Sequence, residues 1–196
     1  MGITSLKSLS FGLALASLVS VGVASAQSLA GVNAKLDRTL DSKSAAVGQT
    51  VTAKLEGTVT LGGTKLARGT ELIGKVAEVK SGNPVSVTLL FTSAKLKDGK
   101  EIPVKATLIA ASSESDPVGV SLGDVAGGAA PNQIDADRAF NQQPGALEHV
   151  GLTSAVKDHD SGTFSSTSGN FKLLAGTNLQ VGIGAASSPS GTSAAE

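Results

Sequence analysis

Three short stretches of this 196-residue chain carry side chains that could do chemistry. Residues 119–123 are Gly-Val-Ser-Leu-Gly, which matches the Gly-x-Ser-x-Gly nucleophile elbow of serine hydrolases. That elbow joins a strand to a helix in a parallel sheet, and the chain lacks the alternating strand and helix pattern that builds one. We therefore expect no catalytic residue, and a small hydrolase using Ser121 is the least favoured function. The partners of such a triad would come from Asp124, Asp135 or Asp137 and from His149 or His159.

The other two stretches are adjacent in the sequence, at residues 154–157 and 158–162. Residues 154–157, Ser-Ala-Val-Lys, match the Ser-x-x-Lys of penicillin-recognising proteins, but the companion motifs Ser-Asp-Asn and Lys-Thr-Gly are missing. Residues 158–162, Asp-His-Asp-Ser-Gly, offer oxygen and imidazole ligands to a metal. An EF-hand loop starting at Asp158 would need a carboxylate at position 169, which is Gly. We expect a polar surface turn there, with no metal and no cofactor.

The amino-acid composition excludes further kinds of chemistry and of binding surface. Without cysteine the chain has neither thiol catalysis nor disulfides, and without Tyr or Trp it has few aromatic faces on which bases or sugars could stack. Residues 27–110 carry 12 basic and 7 acidic side chains, whereas residues 111–196 carry 3 and 9. No basic cluster is dense, so we interpret these charges as solvated strand faces and expect no nucleic-acid partner.

Residues 1–26 have the pattern of a cleaved secretory signal peptide. Lys7 supplies a positive start, an apolar core follows, and Ala24-Ser25-Ala26 is an Ala-x-Ala cleavage site before Gln27. The core spans about 14 residues, short of the roughly 20 that a membrane-spanning helix needs. We expect an exported protein, periplasmic or extracellular, whose mature chain has no stable membrane span.

The elements that would position these side chains are strands. Asp98-Gly99 is a favoured tight-turn dipeptide, so the strands on either side of it are predicted to form a hairpin. Gly62-Gly63 predicts another turn, and Gly74 predicts a bulge or a close backbone approach. Apolar residues alternate with polar ones, the signature of half-buried strands, over residues 50–61, 85–92 and 102–108.

One phrase, Lys-Leu-x-x-Gly-Thr-x-Leu, occurs at residues 65–72 and again at residues 172–179. A glycine at positive φ would close a turn there, and Thr-x-Leu would begin a strand with alternating faces. The second copy has no matching neighbourhood beyond residue 183. We interpret the phrases as one turn used twice in a single scaffold, without domain duplication.

The middle of the chain carries a weaker pattern. Residues 111–146 are rich in Gly, Ala and Ser and are predicted to be an irregular insertion, with a short helix over residues 135–143. Residues 185–196 are small and polar, which predicts a disordered tail.

Three phrases in order, at residues 47–55, 66–76 and 96–104, resemble the C-terminal β-barrel domain of the TrbI-like conjugal-transfer family. That domain has a Gly-x-x-Val-x-Ala-x-Leu strand, then Pro-x-Gly-(Ser/Thr)-x-Leu-Ile-Gly, then an Asp-Gly-x-x-Ile-x-Leu hairpin. The resemblance covers about residues 46–110, with Ala67 in place of the family's proline. It implies a barrel and an envelope location, because family members build the outer-membrane complex of type IV secretion machines, and it transfers no site residue.

We therefore expect one all-β domain over residues 27–184, a small barrel or sandwich. Its expected role is that of a non-catalytic exported scaffold or interaction protein whose partner is another envelope protein. The alternative is a component of a type IV secretion or conjugation outer-membrane complex.

Overall fold

The computed structural model describes residues 29–114, 133–134 and 137–186. The predicted signal peptide, Ser121 and residues 187–196 lie outside this part of the chain. The described residues form strands and no helix, so they contain no helix that could cross a membrane. The strands, in chain order, are β1 Leu29–Leu36, β2 Leu40–Asp41, β3 Thr50–Leu55, β4 Val59–Leu61, β5 Thr64–Leu66, β6 Glu71–Lys80, β7 Val85–Lys95, β8 Glu101–Ser112, β9 Gln133–Ile134, β10 Ala139–Gln142, β11 Gly151–Ala155, β12 Gly162–Ser166, β13 Lys172–Leu173 and β14 Asn178–Ala185.

A closed six-stranded barrel forms the body of the protein. Its strands follow the order β7-β6-β3-β1-β14-β8, and the pairing of β7 with β8 completes the ring. Neighbouring strands are antiparallel throughout. Leu72, Val76 and Phe91 are fully buried in the core. The fold is therefore all-β, as predicted. Of the two predicted alternatives, a barrel and a sandwich, it is the barrel.

Three more strands extend from β7 outside the ring. β12 pairs with the first half of β7, β11 pairs with β12, and β10 pairs with β11 at the edge. The apolar residues of this flap pack in two places: Leu152 and Phe164 join the main core, and Phe140 joins a second apolar cluster. The cluster consists of Leu29, Ile109, Ile134, Phe140 and Val156.

The local patterns that the sequence predicts are present. Val51, Ala53 and Leu55 are buried on one face of β3. The hairpin joining β7 to β8 turns through Gly99, whose φ is 85°. The β6–β7 register shifts at Gly74, where an added Cβ would lie 2.6 Å from the carbonyl oxygen of Leu90. Only glycine fits this approach of two backbones.

The barrel ring has a seam where β7 and β8 separate. They pair only next to their hairpin, up to Ser93 opposite Pro103. Beyond it, Ser161 connects them: Leu108 N–H donates to its carbonyl at 2.7 Å, and its own N–H donates to Leu89 at 2.8 Å. The Ser161 hydroxyl accepts from Phe91 N–H at 2.9 Å. Ser161, the residue just before β12, thus links β7 and β8 where the two strands no longer pair directly.

Two side chains complete the seam along β8. The Ser154 hydroxyl donates to the carbonyl of Leu108. The Gln142 amide binds Ala111 twice, since its Oε1 accepts from the backbone N–H at 2.7 Å and its Nε2 donates to the carbonyl at 2.6 Å. Ala111 is fully buried, so both of its backbone groups need these partners.

The two copies of the repeated phrase form one turn geometry. Gly69 and Gly176 share a φ of 86°. Each turn then binds the end of a neighbouring strand through the same pair of bonds. Gly69 N–H donates to Leu55 O at 2.7 Å and Gly176 N–H donates to Leu36 O at 2.8 Å, while Thr70 O and Thr177 O each accept from the same leucine's N–H at 2.9 Å.

This correspondence extends beyond the phrase. β1 and β3 both contain Ala-Lys-Leu, and they pair about Lys35 opposite Lys54. β6 and β14 flank them equivalently, and each has a bulge two residues after its first leucine, between Ile73 and Gly74 and between Gln180 and Val181. The two barrel halves are thus related by an approximate twofold axis between β1 and β3. The sequence interpretation, one turn used twice in a single scaffold, understated this relation.

The structure corrects three predictions in the second half. The predicted helix over residues 135–143 is wrong, because residues 139–142 form strand β10, in which Phe140 is buried between two exposed neighbours. Ala111 and Ser112 belong to β8, so these two residues of the range predicted to be irregular are strand. Ala185, predicted to begin the tail, ends β14 opposite Val104.

Candidate binding cleft

A cleft of about 780 Å³ opens beside the second Lys-Leu turn. Its walls are the end of β8, the loop between β10 and β11, and the segment that runs from β12 to the start of β14. At the equivalent turn over residues 67–70, a Cβ on Gly69 would instead meet the side chain of Lys97, which lies in the β7–β8 hairpin. The cleft is thus a feature by which the two halves differ.

The apolar part of the cleft has a buried base and an exposed rim. Leu147, Val150 and Phe171 are buried and line it. Leu174 also lines it, yet 61% of its surface is exposed. Leu174 and Val47 are the two large hydrophobic residues of the described chain that stand out in solvent. Leu174 thus extends the apolar surface of the base out to the rim of the cleft.

The loop over residues 143–150 forms one wall, and one backbone bond ties it to β8 while another lies within it. Ser113 N–H donates to Ala146 O at 3.1 Å, which ties the loop to the end of β8, and Val150 N–H donates to Leu147 O at 3.3 Å. Between them His149 has a φ of 57°. A non-glycine residue in the left-handed region costs free energy, and such residues concentrate at functional sites.

The opposite wall holds Glu114 against the turn glycine. A Cβ at position 176 would lie 2.8 Å from the Glu114 carboxylate, so glycine leaves room for that side chain. The carboxylate lies 4.0 Å from the Lys35 ammonium and is 69% exposed. Because that ion pair is long and open to water, it only weakly offsets the negative charge.

The lysine in the cleft is neutralised by a partner outside it. Lys172 Nζ lies 3.1 Å from Asp41 Oδ2 across the β2–β13 pair. The backbone N–H of Lys43, and after it Lys172, hold the pKa of the Asp41 carboxyl below its ordinary value. Glu148, at the mouth, is 92% exposed, and its carboxylate lies 3.8 Å from His149 Nε2. Since Lys172 is paired with Asp41, the two glutamates give the cleft an acidic border.

Strand β13 contributes backbone as well as a side chain. It pairs with β2 alone among the described strands. Phe171 bonds to Ser42, its N–H to the hydroxyl at 2.8 Å and its carbonyl to the N–H at 3.0 Å. Because backbone groups alternate in direction along an antiparallel strand, the N–H and C=O of Lys172 point away from β2. Lys172 lines the cleft, so one donor and one acceptor of the main chain lie at its side.

The residues that the sequence singled out for chemistry are dispersed. Asp137, Lys157 and His159 are exposed on the surface, Ser154 is buried in the barrel seam, and His149 lines the cleft. Ser121, Asp124 and Asp135 lie outside the described residues. The Ser154 hydroxyl is thus used as a structural donor, and its sequence partner Lys157 is in solvent.

The stretch 158–162 forms a turn at the barrel seam. Partial burial raises the pKa of Asp160 above its ordinary value, and the charges of Asp158 and Glu78 raise it further. Among the described residues no three His, Asp or Glu side chains are grouped so that they could hold a metal. The neighbouring Ser161 explains the location of this turn, since its backbone and hydroxyl join β7 to β8.

Sequence reasoning missed the cleft itself. The available signal was the difference between the two phrases, because Leu174 stands where the first phrase has Ala67. A large apolar side chain at an otherwise equivalent turn indicates that this turn does more than begin a strand. The loop of His149 gave no signal, since its shape depends on bonds to β8.

No protein-family model and no curated protein sequence matches the chain. The TrbI-like resemblance over about residues 46–110 therefore stays a prediction.

Proposed function

We propose that this chain is an exported, non-catalytic β-barrel scaffold that binds another protein of the cell envelope. The observation that carries the proposal is the cleft, where exposed Leu174 rises above buried Phe171 and is bordered by Glu114 and Glu148. This arrangement offers a contact surface, with no nucleophile and base in hydrogen-bond contact.

The placement of the candidate chemical groups supports the same reading. Ser154, Ser161 and Gln142 bond to the backbone at the β7–β8 seam, where their loss would open the ring. Polar side chains engaged in this way stabilise a rigid frame. A rigid frame suits a scaffold, because preorganisation lowers the entropy cost of binding.

The second candidate is a component of a type IV secretion or conjugation outer-membrane complex. The phrases that resemble the TrbI-like domain lie on β3, on the turn into β6, and on the β7–β8 hairpin. They therefore belong to one continuous part of the barrel, which favours a shared barrel architecture. Neighbouring genes for channel ATPases and channel subunits would support this candidate, and an isolated locus would count against it.

Export and catalysis can be tested separately. Residues 1–26 fused to a periplasm-dependent reporter enzyme should give activity, and mass spectrometry of the secreted chain should find Gln27 at its N terminus. The mature chain should not hydrolyse p-nitrophenyl butyrate. Ester turnover that disappears in Ser121→Ala would overturn the non-catalytic proposal, and a reporter that stays inactive would overturn export.

A further inference from the structure

We infer that the cleft beside the second Lys-Leu turn binds an extended peptide segment of a partner protein, with a basic side chain flanked by apolar ones. This inference rests on the proposed binding function and adds the site and the chemistry of its ligand. The main-chain groups, the apolar surface and the charge of the cleft each support a part of it.

The main chain of the cleft suits an extended segment. The N–H and C=O of Lys172 point away from β2 and border the cleft, because Phe171 takes both bonds with Ser42. A peptide that lies alongside β13 can donate to one group and accept from the other. Addition of a strand to a sheet edge is a recurrent mode of peptide recognition.

The apolar residues fit the side chains of such a segment. Successive side chains of a strand point to opposite sides, so residues two apart face the same wall. Phe171, Leu147 and Val150 provide a buried apolar wall, and Leu174 covers one side of the opening. The volume of about 780 Å³ lies within the range of ligand pockets, roughly 300 to 1,000 Å³.

Charge decides which polar side chain the segment carries. Lys172 is held by Asp41 at 3.1 Å, so the cleft's only lysine is already paired. Glu148 faces solvent at the mouth, and Glu114 has a single distant partner in Lys35 at 4.0 Å. A lysine or arginine of the ligand would be attracted to these two carboxylates, whereas an acidic side chain would be repelled.

The test is a titration of the mature chain with two fluorescein-labelled, end-blocked pentapeptides, Gly-Leu-Lys-Leu-Gly and Gly-Leu-Glu-Leu-Gly, followed by fluorescence anisotropy. The lysine peptide should bind at least about tenfold more tightly. Its affinity should fall as salt is raised from about 50 mM to about 500 mM, because exposed charges are screened. N-methylation of its backbone should abolish binding, since the edge of β13 needs main-chain donors.

Variants assign the binding to the cleft. Leu174→Ser should weaken the lysine peptide about tenfold, and Glu148→Gln about threefold. The matched controls are Val47→Ser, which changes a similarly exposed apolar residue elsewhere, and Glu56→Gln, which removes an exposed carboxylate outside the cleft. Both controls should bind as the parent chain does, and all four changes lie on the surface, so thermal unfolding should confirm folded protein.

Equal binding of the two peptides would overturn the inference, and so would a loss in Val47→Ser as large as that in Leu174→Ser. Absence of binding at about 1 mM peptide, an affinity too weak to matter, would also overturn it. The outcome is separable from the broader proposal. A mature chain that crosslinks to an envelope protein equally well with Leu174→Ser retains its scaffold role and loses this site.

Discussion

The side-chain amide of Gln142 bonds to the backbone of Ala111 as a neighbouring strand would. Removing this amide should lower the free energy of unfolding by a measurable amount. Gln142→Met keeps the length of the side chain and deletes both bonds to Ala111. Ala111 is fully buried, so its N–H and C=O would each lose a partner without gaining water. An unsatisfied buried group costs about 1–3 kcal/mol, which gives a loss of about 2–6 kcal/mol for the pair.

Urea unfolding monitored by far-ultraviolet circular dichroism measures this loss. In thermal unfolding, a protein of this size loses about 2–4 °C of Tm for each kcal/mol, so we also expect the Tm to fall by about 4–24 °C. Gln143→Met is the control, because that neighbouring glutamine is exposed and bonds only to Asn141 at 3.1 Å. It should change the free energy of unfolding by less than about 0.5 kcal/mol.

A second variant tests the donor and acceptor roles by pH. Gln142→Glu retains an acceptor for Ala111 N–H but places a carboxylate oxygen against the Ala111 carbonyl at neutral pH. Below about pH 4 the carboxyl is protonated and can donate, so the loss relative to the parent at the same pH should shrink. The loss in Gln142→Met should not depend on pH. A loss of unfolding free energy below about 1 kcal/mol in Gln142→Met would refute the interpretation that the Gln142 amide replaces a neighbouring strand. Parallel pH dependences of the two variants would also refute it.

The remaining predictions concern the glycines and one acid. Gly74→Ala should destabilise the barrel by more than about 2 kcal/mol in urea unfolding, because its Cβ would lie 2.6 Å from Leu90 O; a loss under about 1 kcal/mol would show that β6 and β7 can separate there. Gly69→Val and Gly176→Val should both lower Tm, since β-branched residues disfavour a φ of 86°, and an unchanged Tm in either would contradict the shared turn. Asp160→Asn should stabilise the fold at pH 7: the raised folded-state pKa of Asp160 means that its ionisation opposes folding above that pKa. This gain should vanish below the unfolded-state pKa of 3.8, and a gain that persists there would have another cause.

The local strand pattern was predictable because it depends on neighbours in sequence. Burial alternates along β3 in register with its apolar residues, and Asp98-Gly99 turns the chain where the dipeptide indicates. The close approach at Gly74 was also predictable, since a glycine inside an apolar strand has few other reasons.

The missed features depend on partners distant in sequence. Residues 139–142 form a strand because Phe140 enters the second apolar cluster and Gln142 reaches Ala111, neither of which the local sequence contains. Strand β12 lies in a Ser- and Thr-rich stretch that resembles a loop, and it is held by pairing with β7. The cleft needs all of these segments in place, so composition and spacing could not indicate it.

The position of β14 has a consequence for when the barrel can form. Residues 178–185 lie between β1 and β8, so those two strands are joined in the ring only through this last strand. By contrast, β3, β6 and β7 are sequential neighbours and can pair locally. Contacts between distant parts of a chain form slowly, because loop closure costs entropy before it gains stability. During synthesis one half of the barrel can therefore form early, while ring closure must wait for Asn178–Ala185 to emerge.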